Sequence, residues 1–141
     1  MKHAYTAGRA LVAAAAMVSV LTLTAGPAQA AAEGELVGYP GPDGVLWIPE
    51  WTGSGGFVSG GLNAHLDTLI TVACEGGGSI EVTFRLDEEP EARAPFSLTC
   101  PTGTPATVTV PLGTGLHGGF GAAVTTSSPS IRWGTAVIQP E

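Results

Sequence analysis

Two histidines stand beyond residue 31, His65 and His117, and Asp67 lies two positions after the first. Joined on one surface they would make a two-histidine, one-carboxylate set of the kind that holds a transition metal. Serines are plentiful, so a hydrolase of the Ser-His-Asp type is the other chemistry on offer. Neither is carried by a motif. GSGG around Ser54 is not the G-x-S-x-G elbow, and no strand-turn-helix frame surrounds it. GTGLHG, Gly113 to Gly118, has the letters of a dinucleotide fingerprint, but that site needs a βαβ unit, and the following GFGAAVTT alternates like a strand. No catalytic residue, metal ligand or cofactor is assigned from these residues.

The run Asp87-Glu88-Glu89-Pro90-Glu91 offers the oxygen ligands that calcium takes. It lacks the alternating spacing of a calcium loop and reads as a solvated turn, flanked by Arg85 and Arg93. The aromatic set Tyr39, Trp47 and Trp51 is more suggestive. Flat side chains with a polar handle in a glycine-rich, irregular segment can present their faces to sugar rings or to a protein partner. The alternative for Trp47, in the apolar run VLWI, is to cover the end of a core. Trp133, among inward strand residues, reads as a core anchor.

These residues need a frame, and the frame is exported. MKHAYTAGRALVAAAAMVSVLTLTAGPAQA has Lys2 and Arg9 ahead of an apolar run and ends on Ala28-Gln29-Ala30. It reads as a signal peptide over residues 1–30, cleaved after Ala30, which leaves no membrane insertion and places the protein outside the cell. Residues 31–141, 111 in all, suit a single domain. They carry twelve acidic residues against Arg85, Arg93 and Arg132, a formal charge of −9 with no lysine. Nucleic acid and anionic membrane surfaces, which require a basic footprint, are excluded as partners. The same charge favours a soluble monomer.

Glycine is frequent, 19 of these 111 residues, but Leu, Ile, Val and Phe together number 27, enough to bury a core. Ile80, Val82, Phe84 and Leu86 alternate with Ser79, Glu81, Thr83 and Arg85, a strand with one face inside and one in water. Similar alternation runs through His65 to Cys74, Phe96 to Cys100, Ala106 to Leu112, Gly119 to Thr126 and Ile131 to Gln139. Gly134 interrupts the last of these and suggests a β-bulge. Shorter strands are expected near Leu36 to Tyr39, Val45 to Ile48 and Phe57 to Ser59, where Pro40, Pro42 and Pro49 break any helix. Seven to eight strands and no helical periodicity predict an all-β antiparallel sandwich, immunoglobulin-like or jelly-roll.

Cys74 and Cys100 are the two cysteines of an exported chain and are expected to form a disulfide on the apolar faces of their strands. Gly76 to Gly78 between two strands read as a hairpin turn, since glycine reaches positive φ without steric cost.

With its alanine-rich leader, the segments CEGGGSIEVTF and PFSLTCP and the ending SIRWGTAVIQPE, the chain resembles small secreted actinomycete proteins of unknown function. In size, acidity and β-content it is also similar to the neocarzinostatin-type chromoproteins, immunoglobulin-like carriers of enediyne antibiotics. Those carriers have two disulfides, and this chain has cysteines for one. The resemblances imply a secreted sandwich and carry over no catalytic residue. The expectation is a non-enzymatic binder of polysaccharide or of an extracellular protein. The alternatives are a structural envelope protein without ligand, or a small hydrolase or metalloenzyme built on His65, Asp67 and His117.

Overall fold

The computed structural model describes residues 34–141, so the expected signal peptide lies outside the described residues. Eight strands follow one another: β1 (Gly44–Thr52), β2 (Gly55–Leu62), β3 (Thr68–Glu75), β4 (Ser79–Leu86), β5 (Glu89–Thr99), β6 (Ala106–Gly113), β7 (Gly118–Thr126) and β8 (Arg132–Ile138). They form two four-stranded antiparallel sheets, ordered β1-β8-β3-β6 and β2-β7-β4-β5. The all-β sandwich expected from the alternating pattern is the fold observed.

The core lies between the sheets and is filled by the faces that alternation marked. Ile70, Val72 and Cys74 of β3 meet Ile80, Val82, Phe84 and Leu86 of β4 there, with Phe120 and Val124 of β7 and Trp133 and Val137 of β8. Phe84 and Phe120 stack at 5.3 Å between ring centroids, and Phe57 meets Phe120 edge-on at 6.4 Å. Trp133 is buried, and its Nε1 donates to the Gly53 carbonyl at 2.8 Å, so the indole is satisfied as well as packed.

The glycine corner joins the two sheets. β3 and β4 are not hydrogen-bonded neighbours, because β3 sits in the first sheet and β4 in the second. Gly76 to Gly78 therefore carry the chain across the sandwich, and the hairpin expected here is corrected. Both strands keep an apolar face inward, and three consecutive residues at φ of 121°, 82° and 101° make the turn that achieves it. Cys74 and Cys100 form the expected disulfide, with Cα atoms 5.1 Å apart. It ties β3 of one sheet to the residue after β5 of the other. Two consecutive strands do pair as a hairpin, β4 and β5, across the tight Asp87-Glu88 turn.

Three further local expectations change. Leu36 to Tyr39 are not a strand; they cross the outer surface of the first sheet, where the Leu36 N–H donates to the Pro49 carbonyl at 2.9 Å. β1 continues through Pro49 to Thr52, since an edge strand tolerates a missing donor. The bulge lies in β1 rather than β8: β8 runs in register along β3 through Gly134, while Pro49 and Glu50 together oppose it between the pairs Ile48–Thr135 and Trp51–Trp133. A Cβ on Gly134 would stand 2.6 Å from the Pro49 carbonyl oxygen, so the residue marks its neighbour's bulge.

Candidate functional site

The three candidate aromatics are divided between two surfaces. Trp47 lies on the outer face of the first sheet, half-buried among Leu36, Val37, Ala73 and Ala136, with its Nε1 donating to the Val37 carbonyl at 2.9 Å. Tyr39, 57% exposed, stands edge-on to it at 5.2 Å and 73°. This pair clamps the incoming chain onto the sheet. Trp47 thus covers an outer surface, and its core role is confined to that small cluster.

Trp51 is turned elsewhere by the bulge. Its neighbour Glu50 takes the outer face, where it accepts from Arg132 Nε at 2.7 Å, and Arg132 also binds Glu75 of β3. Trp51 reaches over the start of β2 instead: a Cβ built on Gly55 would lie 2.8 Å from Trp51 Nε1. The indole is 52% exposed and caps the open corner between β1 and β2. Hydroxyl groups border that corner. Ser54 and Thr126 bond to each other at 3.3 Å, and the Thr126 N–H donates to Ser54 Oγ at 2.9 Å. The arrangement is one flat apolar face with polar groups at its rim.

The hydrogen bond from Arg132 holds the Glu50 carboxyl below the usual carboxylate range, reinforced by the guanidinium charge, and Arg132 is raised in return. Arg132 also donates to the Gly34 carbonyl at 3.3 Å, which ties the first described residue to the sheet.

The histidines stand at one end of the sandwich. Gly115 N–H donates to the Ala64 carbonyl at 3.0 Å, so the loops bearing His65 and His117 adjoin, an approach that nothing in the spacing signals. His117 lies 3.3 Å from Glu88, across the Asp87-Glu88 turn. Among the described residues no three histidine, cysteine or carboxylate side chains converge where they could hold a metal ion. Of the acidic run expected as a turn, only Asp87 and Glu88 form it, and Glu89 to Glu91 open β5; Asp87, Glu88 and Glu89 are open to solvent, with Glu89 paired to Arg93 at 2.6 Å.

A depression of about 510 Å³ lies on the outer face of the second sheet, beside Val58, Thr83, Arg85, Gly121 and Ala123. It exists because β7 turns glycine and alanine outward between longer side chains on β2 and β4. The sequence signal was present in GGFGAAVTT, whose outward positions carry little bulk. Comparison of the chain with protein-family models, with curated proteins and with solved structures finds no match.

Proposed function

We propose that this chain is a secreted, non-enzymatic binding module that holds polysaccharide against Trp51. The observation that carries the reading is the half-exposed indole at the β1–β2 corner, backed by Gly55 and rimmed by Ser54 and Thr126. A sugar ring presents C–H groups on its faces and hydroxyls at its edge, which is the complement of a flat ring with polar groups around it. Rigid placement matters as much as exposure, since an indole already seated loses little freedom on binding. A disulfide in an all-β domain is compatible with an extracellular setting.

The test is retention of the mature protein on a panel of insoluble polysaccharides, with Trp51→Ala and Tyr39→Ala alongside. Trp51→Ala is expected to weaken retention at least about tenfold, equivalent to ~1.4 kcal/mol. Tyr39→Ala, on the other surface, should leave it within about twofold. Failure of every polysaccharide to retain the native protein, or equal retention of Trp51→Ala, would refute the reading.

A further inference from the structure

We infer that β2 is a self-complementary strand edge through which two copies of this chain pair, antiparallel, about a two-fold axis at Val58. A sandwich has four edge strands, here β1, β6, β2 and β5. Edges expose unpaired N–H and C=O groups, and proteins ordinarily blunt them with proline or charge. β1 carries Pro49 and Glu50, β5 carries two prolines with Glu89, Glu91 and Arg93, and β6 carries Pro111. β2 reads GGFVSGGL, with neither proline nor charge, and its bulge at Gly60 and Gly61 lies beyond the straight stretch Gly55 to Ser59.

The occupant follows from the order of residues within that strand. An isologous interface pairs a strand with itself about its own centre. About Val58 the segment Gly56 to Gly60 is nearly a palindrome, with Gly56 opposite Gly60 and Phe57 opposite Ser59 of the second copy; the pairing ends there, because the strand bulges at Gly60 and Gly61, with Gly61 at a φ of 86°. Val58 then meets its own counterpart. It is 83% exposed on the outer face, the most exposed large apolar side chain described, and this contact covers it. The ladder between β2 and β7 is regular from Gly55 to Ser59, so the centre of the strand is straight enough to extend the sheet.

Charge selects the same place. A net charge of −9 over residues 31–141 opposes association across most of the surface, and β2 is an edge where no charged side chain has to approach its copy. Pairing there would continue the second sheet from four strands to eight. The paired residues begin just past Gly55, the seat of the Trp51 indole, and the dimer is read by sedimentation and cross-linking rather than by retention on polysaccharide, so failure of one reading is distinguishable from failure of the other.

Sedimentation equilibrium of the disulfide-bonded mature protein tests the inference, together with Val58→Lys, Val58→Cys and, as a control on another edge, Thr107→Cys. The native protein should show a concentration-dependent dimer below about 1 mM, the weak end of specific association. Val58→Lys should weaken it at least about tenfold while near-ultraviolet circular dichroism stays native, as expected for so exposed a position. Directly opposed residues in an antiparallel ladder have Cα atoms about 4.5 to 5.5 Å apart, within disulfide reach. Val58→Cys should therefore cross-link to a dimer under mild oxidation and Thr107→Cys should not. A native protein that stays monomeric up to about 1 mM overturns the inference, even if it captures an unrelated strand. So does a dimer indifferent to Val58→Lys, or equal cross-linking at both positions.

Discussion

The Trp51 indole rests on the backbone of Gly55, four residues along the chain and in the opposite sheet: a Cβ at Gly55 would come within 2.8 Å of Trp51 Nε1. The glycine is the seat of the ring. Gly55→Ala should push the indole away while leaving the fold intact, because the obstructed atoms belong to a half-exposed side chain with room to move. The expected readout is a change in tryptophan emission that disappears when Trp51→Phe is added, with a stability loss of no more than about 1 kcal/mol, typical outside the core. Emission identical to that of the native protein would show that the ring does not need this seat.

The disulfide joins the two sheets at the glycine corner and closes a separation of 26 residues. In the chain-entropy account a loop of that length restricts the unfolded ensemble by about 3 to 4 kcal/mol. Cys74→Ala with Cys100→Ala should lower the urea midpoint by the corresponding amount, a large share of the ~5 to 15 kcal/mol typical of a domain. The intact mass of the native protein should lie two hydrogens below that of its reduced form. An unchanged midpoint in the double variant would show that the crossing is held without the bridge.

What the sequence made legible is what depends on one strand at a time. Ile80, Val82, Phe84 and Leu86 announce their face by alternation, and the structure buries all four. Trp133 and the two cysteines follow the same pattern and are buried. What was hidden depends on pairs of strands. Alternation cannot tell whether Gly76 to Gly78 return the chain beside itself or send it to the other sheet, since either turn keeps the same faces inward. Nor can it show that Gly134 accommodates a bulge in β1, because the extra residue belongs to the partner strand. That bulge also decides the candidate site. Trp47 and Trp51 are four apart, so unbroken alternation would put them on one face; the inserted residue separates them.

Arg132 binds Glu50 and Glu75 on the outer face of the first sheet, and pH should read that cluster. The hydrogen bond from Arg132 lowers the Glu50 carboxyl in the folded protein. A carboxyl lowered on folding stabilises the fold above its unfolded pKa, and the contribution is lost as pH falls through the lower folded value. Native stability should therefore drop across the acidic range by more than that of Arg132→Gln, which lacks the partner. The groups are partly exposed, so the difference is a few tenths of a kcal/mol. Urea midpoints for both proteins at neutral and acidic pH check it, and parallel pH profiles would remove the cluster from the account.

Gln139 closes the far end of the sandwich, and it is the polar residue whose loss should matter most. Its side chain is buried and three hydrogen bonds surround it: Nε2 donates to Thr68 Oγ1 at 2.9 Å and to the Asn63 carbonyl at 3.1 Å, and Oε1 accepts from the Asn63 N–H at 2.8 Å. The amide thus does for the β2–β3 connection what a neighbouring strand would do, satisfying both backbone groups of Asn63 at once. Gln139→Met keeps the length and apolar stem but leaves the Asn63 N–H and the buried Thr68 hydroxyl without their partner, while the Asn63 carbonyl keeps the Leu66 N–H at 3.1 Å. A loss of about 2 to 3 kcal/mol is expected, toward the upper part of the range for single substitutions. Amide hydrogen exchange locates the effect. The Asn63 N–H should lose protection in Gln139→Met while β4 amides fall only with global stability, and retained protection at Asn63 would refute the role assigned to the side chain.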